Sequence, residues 1–144
     1  MSTVLVDDHL LADLIGDTVP EALARVLRRN SVATTNLFYV RLCRAAVAAR
    51  GGSITGGWDR DRRQEMARSL LELPEDVQVL PMQELAFRMA TLARDFGLST
   101  LGAEAVAAAE TRGARLCVWS GDVGPRIREA CTDLRIRHQA IERS

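Results

Sequence analysis

Lysine is absent from this sequence, in which all 19 basic residues are arginines. Arginine does not freely replace lysine where chemistry needs a compact, single-point positive charge. A glycine-rich stretch at residues 51–57 also lacks the Gly-Lys-Ser/Thr ending of a phosphate-binding P-loop, because Trp58 and Asp59 follow it. The sequence therefore excludes a P-loop site, and it weighs against any site that pairs a phosphoryl group with lysine.

Cysteine, histidine and long apolar runs are also scarce. Cys43, Cys117 and Cys131 are odd in number, widely spaced and set among apolar residues, which predicts buried thiols in a reducing compartment. His9 and His138 lie far apart, and we interpret them as surface or internally satisfied side chains rather than metal ligands. No apolar run approaches the roughly 20 residues of a membrane span, and the start lacks a signal-peptide pattern. We therefore expect a cytoplasmic protein that does not enter a membrane.

Strand and helix patterns alternate along the chain. Short apolar runs predict strands at residues 3–6, 31–35, 77–80, 115–119 and, as a short edge strand, 137–141. Helical patterns occupy residues 9–15, a stretch that starts at 17–20, and residues 36–49, 58–71, 82–96, 101–112 and 123–134. This alternation predicts an α/β fold, a three-layer sandwich with a mostly parallel central sheet flanked by helices. Hydrophobic residues make up 47% of the chain, which is enough for one domain over residues 1–144.

The first predicted strand ends in two aspartates. Val4-Leu5-Val6 is followed directly by Asp7 and Asp8. In a parallel α/β sheet the ligand site lies beyond the carboxyl ends of the strands. Carboxylates at such an edge suit metal-ion or phosphate chemistry. Asp7 and Asp8 are therefore the first candidates for a functional site.

This opening resembles the receiver domains of response regulators, in which paired acids hold magnesium beside a phosphorylated aspartate. That family also needs an acceptor aspartate after the third strand, where this chain has the glycine-rich stretch. It further needs a lysine after the fifth strand, and this sequence contains none. We therefore set the receiver interpretation aside.

A second resemblance covers nearly the whole chain and is strongest in residues 85–122. The segment LAFRMATLARDFGLSTL at residues 85–101 is similar to a helix of PIN-domain nucleases of the VapC type and to the entry of their acidic helix. The segment AEAVAAA at residues 103–109 resembles the alanine-rich helix that follows. A strand that ends in a small-residue turn with Asp122 resembles the last active-site segment of that family.

The resemblance implies three or four carboxylates that bind one or two Mg²⁺ or Mn²⁺ ions and activate water for RNA cleavage. The four acidic positions of the family correspond here to Asp7, Arg41, Gly102 and Asp122. Two carboxylates are therefore missing, and Arg41 is expected to repel a divalent ion and could pair with Asp7 instead. Asp8 and Glu104 are candidate replacement ligands. We expect Asp8 to point into the first helical turn, and Glu104 to lie about 200° around its helix from position 102.

Charged residues are unevenly distributed along the chain. Residues 1–24 carry five acids and no base, whereas residues 25–68 carry ten arginines against three acids. A basic segment of this kind is suited to an anionic polymer or an acidic protein, although a solvated helix face with internal ion pairs is the alternative. The candidate contact residues are Arg25, Arg28, Arg29, Arg41, Arg44, Arg60, Arg62 and Arg63.

Three functional hypotheses follow. In the first, the chain is a degenerate PIN-like protein that has lost metal-dependent cleavage, needs no cofactor and serves as an RNA- or protein-binding regulatory module. In the second, it is an active Mg²⁺- or Mn²⁺-dependent endoribonuclease of the toxin type, held by an antitoxin-like partner, with Asp7 and Asp122 as catalytic ligands. In the third, it is a structural subunit of a homo-oligomer, since PIN-like domains often form homodimers. Trp58, Trp119 and Tyr39 could stack RNA bases, but core packing is their ordinary role.

Overall fold

The structure, a computed structural model, describes residues 2–48, 54, 57–122 and 124–143. Its strands are β1 (Ser2–Val6), β2 (Asn30–Thr35), β3 (Val77–Leu80), β4 (Arg115–Trp119) and β5 (His138–Ile141). Its α-helices are α1 (Asp8–Ile15), α2 (Glu21–Leu27), α3 (Asn36–Val47), α4 (Arg60–Leu71), α5 (Met82–Phe96), α6 (Thr100–Arg112) and α7 (Pro125–Asp133). A short 3₁₀ helix, Ser120–Asp122, follows β4.

These strands form a parallel sheet in the order β3-β2-β1-β4-β5. β1 lies at the centre, because it pairs with β2 on one side and with β4 on the other. From β1 the chain adds β2 and then β3 on one side of the sheet, and it later adds β4 and then β5 on the other side of β1. The direction thus changes between β1 and β4, and parallel α/β proteins bind ligands in the crevice at the carboxyl ends of such a strand pair.

Alternate residues of the strands face two apolar cores. Leu5 and Leu116 belong to the core that the sheet forms with α5, α6 and α7. Val4 and Val6 belong to the core that the sheet forms with α1, α2, α3 and α4. Since successive side chains of a strand point to opposite faces, this division gives one helical layer on each side of the sheet. The predicted three-layer α/β sandwich is confirmed.

Helix α6 is the most enclosed helix of the sandwich. Residues 102–109 are all buried, and most of them are alanines. Small side chains allow α6 to lie close to both the sheet and α5. The same burial means that a charged residue in this helix, Glu104, is removed from water.

The predicted elements agree with the structure except near their ends. α4 begins at Arg60 rather than at residue 58, because the Asp59 side chain accepts a hydrogen bond from the Arg62 N–H and caps the helix. Pro20 is the residue that precedes α2 and does not lie in its first turn. The predicted glycine loop at residues 51–57 lies outside the described residues except for 54 and 57, as do the predicted end of α3 at 49 and the predicted start of α7 at 123. β5 lies at the sheet edge as predicted.

None of the described helices has both the length and the apolar character that crossing a membrane requires.

Candidate functional site at the carboxyl edge of the sheet

Asp7 joins the carboxyl ends of the two central strands. It follows β1 and caps α1, since its Oδ1 accepts a hydrogen bond from the backbone N–H of Leu10 at 2.9 Å. Its Oδ2 accepts a hydrogen bond from the backbone N–H of Trp119, at the end of β4, also at 2.9 Å. Both carboxylate oxygens are therefore engaged by backbone donors across the crevice between β1 and β4.

Burial changes the acidity of Asp7. The residue is 3% exposed, and loss of hydration raises the pKa of its carboxyl group from 3.8 to about 6. The two backbone N–H donors lower this pKa, while the neighbouring charge of Asp8 raises it further. The net rise means that desolvation outweighs the stabilisation of the carboxylate by its hydrogen bonds.

Asp8 is buried beside Asp7 and forms an ion pair with Arg41. Its Oδ1 accepts a hydrogen bond from the backbone N–H of His9 at 3.0 Å and lies 3.1 Å from His9 Nδ1. Its Oδ2 lies 3.2 Å from Nε of Arg41, without a hydrogen bond from any described residue. The expectation that Arg41 pairs with Asp7 is wrong. Backbone donors hold both oxygens of Asp7, and the guanidinium contacts Asp8 instead.

Asp7, Asp8 and His9 together form a buried cluster in which the candidate ligand atoms all lie within 4.8 Å of one another. One oxygen of Asp8 faces the first helical turn as predicted, but its carboxylate still lies in the cluster with Asp7. His9 belongs to this cluster and is 1% exposed, so it is not a surface histidine. Oxygen and imidazole ligands suit a divalent metal ion. The Arg41 charge beside them opposes the binding of such an ion.

The other two candidate acids lie outside this cluster. Asp122 is exposed in the 3₁₀ helix after β4. Glu104 is fully buried, and its Oε1 accepts a hydrogen bond from the backbone N–H of Leu37 at 2.9 Å, in the first turn of α3. Its Oε2 has no hydrogen-bond partner among the described residues. Glu104 therefore stabilises the amino end of α3, where a negative charge is favoured.

Position 102, at which the PIN resemblance predicts a carboxylate, has little space for a side chain. A Cβ atom on Gly102 would stand 3.2 Å from Cγ1 and 3.3 Å from Cδ1 of Ile127 in α7. Such contacts are tight, and a longer side chain would require Ile127 to move. α7 therefore packs closely against α6 at this position.

Four side chains lie together near the ends of β1 and β4, although no sequence pattern connects them. They are His9, Asp13, Trp119 and Arg143. The rings of His9 and Trp119 lie with their centroids 4.5 Å apart. The guanidinium of Arg143 lies 5.7 Å from the Trp119 ring centroid and donates two hydrogen bonds to Asp13, at 2.7 and 2.8 Å. His9 adjoins the predicted aspartates in sequence, and that adjacency is the signal that identifies it. Asp13 and Arg143 are 130 positions apart, so no local pattern predicts their contact.

Gly121 explains how Trp119 fits among these side chains. A Cβ atom at position 121 would stand 2.6 Å from Cη2 of the Trp119 ring. The indole therefore contacts Gly121 as well as His9. Because His9, Gly121 and Arg143 already lie against or near this half-buried ring, they compete with an RNA base for its faces.

The predicted basic surface is only partly available for a ligand. Six of its arginines are exposed and two are partly buried; the exposed ones are Arg25, Arg28, Arg29, Arg44, Arg60 and Arg62. Arg25 pairs with Glu21 at 2.7 Å, and Arg62 lies 4.4 Å above the Trp58 ring. Arg41 is held by Asp8. Internal contacts therefore occupy several members of the set.

A mostly apolar groove lies between α3 and α4. Its volume is about 210 Å³, and it is lined by Tyr39, Cys43 and Val47 from α3 and by Ala67, Leu70 and Leu71 from α4. The Tyr39 hydroxyl donates a hydrogen bond to the Leu70 carbonyl and ties the two helices together. Val47 is 77% exposed and Leu71 is 89% exposed. Adjacent exposed aliphatic side chains of this kind often mark an interaction surface.

Comparison with known proteins supports the architecture alone. No protein-family model matches the chain, and no curated protein matches it. The crystal structure of PAE2754 from Pyrobaculum aerophilum is similar to this chain, with a TM-score of 0.58 and 18% sequence identity. The match covers 98% of this chain and 89% of that chain. At this level of identity, the similarity establishes a shared α/β fold.

Proposed function

We propose that this chain is a PIN-like protein without metal-dependent nuclease activity, and that it acts as a regulatory binding module for an acidic protein partner. The observation that carries the proposal is the exposed apolar groove between α3 and α4, whose helices also carry the exposed Arg44 and Arg68. The hydrogen bonds of Asp7 and the ion pair of Asp8, at the carboxyl edge of the sheet, support the absence of cleavage.

The acidic edge has too little free negative charge for a metal-dependent nuclease. Hydrogen bonds from two backbone N–H groups engage Asp7, and the ion pair with Arg41 offsets the charge of Asp8. Mg²⁺ and Mn²⁺ bind where several carboxylate oxygens outweigh the cost of dehydration, and a nearby guanidinium opposes them. Ile127 also packs closely against position 102, so a ligand side chain there would require Ile127 to shift.

The groove has the apolar lining of a site for one face of a partner helix. Val47 and Leu71 are largely exposed at its ends, while Leu70 is buried at its base. Covering a leucine side chain removes apolar surface from water and stabilises a complex by roughly 1.5–3 kcal/mol. In helix-in-groove recognition, an amphipathic partner helix lays its apolar face into a groove of this kind.

The groove borders favour negative charge on that partner. Arg44 follows Cys43 in α3, Arg68 follows Ala67 in α4, and both arginines are exposed. α3 contains no acidic residue, whereas α4 has Asp61 and Glu65. Acidic residues beside an apolar stripe would therefore meet complementary charge, which increases association rate and specificity.

RNA is the second candidate ligand, favoured by the exposed Arg28, Arg29 and Arg60. Phosphate contacts by arginines would give binding that weakens steeply as salt concentration rises. Aromatic support for bases is limited, because Arg62 covers one face of Trp58. The apolar lining of the groove also lacks the cationic side chains that bind a phosphate backbone. The protein partner is therefore preferred.

The test uses a fluorescent synthetic amphipathic peptide with leucines on one face and glutamates beside them, measured by anisotropy. The wild-type protein should bind this peptide more tightly than a peptide in which lysines replace the glutamates. Leu71→Ser should weaken binding by about tenfold, since it removes an apolar anchor. Phe87→Ser is the matched control, because Phe87 is 84% exposed on α5, in the opposite helical layer.

Other outcomes identify the competing functions. Binding of a labelled single-stranded RNA with a steep salt dependence, and no preference between peptides, would replace the protein partner by RNA. RNA cleavage that EDTA abolishes and Asp7→Asn removes would establish an active nuclease and refute the proposal. A dimer by light scattering that Leu71→Ser dissociates would show that a second copy of the chain occupies the groove.

A further inference from the structure

Arg143 follows the edge strand β5 and contacts α1, the helix that follows the central strand β1. Pairing between β4 and β5 ends with Trp119 opposite Ile141. Beyond that ladder, Arg143 reaches Asp13 of α1, the helix that follows the central strand β1. β4 lies between β5 and β1, so the chain segment passes over the carboxyl end of β4.

Arg143 makes three contacts beside the His9–Trp119 pair, two with Asp13 and one with the Trp119 ring. Its Nε and Nη2 donate to the two carboxylate oxygens of Asp13, a paired arrangement that fixes the guanidinium plane. Its guanidinium also lies 5.7 Å from the Trp119 ring centroid. His9 and Asp13 are four residues apart in α1, so they are neighbours on one helix face. Arg143 at Asp13 is therefore one helical turn from His9.

We propose that residues 142–143 form a C-terminal strap that closes the crevice between the carboxyl ends of β1 and β4, and that release of Arg143 from Asp13 opens it to solvent. In the closed state His9 is 1% exposed and Asp7 is 3% exposed. The strap is a conformational control of the edge where parallel α/β proteins bind ligands. It is independent of the α3–α4 groove.

The attachment of the strap allows it to open without unfolding the protein. The strap lies beyond the last paired residue of β5, and its described contacts with α1 and Trp119 are made by one side chain. The side chain of Arg143 is 20% exposed, so water and salt reach this ion pair. Cys131, by contrast, is 0% exposed in the core on the other face of the sheet. Its exposure reports global unfolding rather than opening of the strap.

Chemical modification of the two histidines tests the strap directly. Diethyl pyrocarbonate modifies accessible imidazoles, and mass spectrometry resolves His9 from His138. The exposed His138 is an internal reference in every sample. Wild-type His9 should be protected, whereas Arg143→Ala should increase its modification rate by about tenfold or more, as expected for loss of a paired, charge-assisted contact. Asp13→Asn should act in the same direction, and the exposed Arg137→Ala is the matched control.

A parallel reaction with a thiol reagent separates opening from unfolding. Opening of the strap should leave Cys131 unreactive in Arg143→Ala while His9 becomes reactive. Protection of His9 equal to that of the wild type would overturn the proposal. A rise in His9 modification that occurs only together with Cys131 reactivity would also overturn it, since Arg143 would then be a residue of general stability. Neither result depends on peptide binding to the groove, so failure of the proposed function remains a separate outcome.

Discussion

Nε of Arg41 in α3 lies 3.2 Å from Oδ2 of Asp8 at the start of α1. A cation thus stands beside the aspartates that follow β1, at a position for which the PIN resemblance predicted a carboxylate. The pair joins α1 and α3, which lie in the same helical layer, and it supplies a counter-ion to the Asp8 side chain, which is 1% exposed. Its removal should change both the stability of the fold and the affinity of the edge for metal ions.

Replacement of Arg41 by alanine should destabilise the protein by about 2 kcal/mol, because the buried Asp8 carboxylate loses its counter-ion. This value is below that of a fully buried pair, since the Arg41 side chain is 40% exposed. Urea unfolding measures the change. Arg44→Ala, an exposed arginine of the same helix, should stay within about 0.5 kcal/mol of the wild type. Equal effects of the two substitutions would contradict a stabilising role for the Arg41–Asp8 pair.

Mn²⁺ should stabilise an Arg41→Gln variant but not the wild-type protein. The substitution removes the cation and leaves Asp7, Asp8 and His9 within 4.8 Å of one another. A ligand that binds only the folded state at a hundred times its Kd adds about 2.7 kcal/mol of stability, which is measurable as a rise in Tm. Adding Asp8→Asn should abolish the rise. An equal Mn²⁺ effect on the wild type would show that Arg41 does not block the cluster.

A Gly102→Asp substitution should not by itself create a metal site. Its side chain would meet Ile127, and we expect a loss of about 1–3 kcal/mol of stability from overpacking. Gly57→Ala is the matched control, since a Cβ atom there meets nothing within 4 Å. Thermal unfolding with and without Mn²⁺ measures both effects. Stabilisation of Gly102→Asp by Mn²⁺ would show that Ile127 moves aside and that the edge accepts a new ligand.

The pH dependence of stability should contain a component from Asp7. Its pKa is about 6 in the folded protein and about 3.9 in the unfolded chain, so the native state holds the proton more tightly. The resulting stabilisation is complete below about pH 4 and is lost as pH rises through 6, an amount of about 3 kcal/mol. Asp7→Asn does not titrate, so its stability relative to the wild type should increase over this range. A difference that does not change between pH 4 and 7 would contradict the raised pKa.

Glu104 should be replaceable by glutamine but not by alanine. Glutamine keeps an acceptor for the Leu37 N–H and removes a buried charge, so we expect a change within about 1 kcal/mol. Alanine removes that acceptor and leaves a cavity beside α3, which should cost about 2–4 kcal/mol. Chemical denaturation measures both. A loss for glutamine as large as that for alanine would show that the charge itself is required.

The fold could be predicted from the sequence because the patterns that specify its strands and helices extend over only a few neighbouring residues. Alternating apolar runs and helical patterns mark the five strands of the described residues and the helices between them. Capping residues such as Asp59 and Gly97 define their ends. Asp7 was identifiable for the same reason, since a carboxylate directly after a buried strand must lie at the carboxyl edge of a parallel sheet.

The arrangement of the candidate site depends on contacts between distant residues. The partner of Arg41 could not be assigned from sequence, because Asp7 and Asp8 are adjacent and only the backbone geometry decides which one has a free oxygen. The orientation of Glu104 towards α3 depends on how α6 packs in the sandwich.

The layered α/β architecture and the position of an acidic strand end follow from the sequence alone. Hydrophobic periodicity and helix capping involve residues close together in the chain, so both can be recognised in the sequence. Tertiary packing, in contrast, establishes that Arg41 pairs with Asp8, that Ile127 packs against Gly102, and that Arg143 lies over the Trp119 ring. These contacts depend on distances between side chains of separate helices, which are set when the two helical layers pack against the sheet.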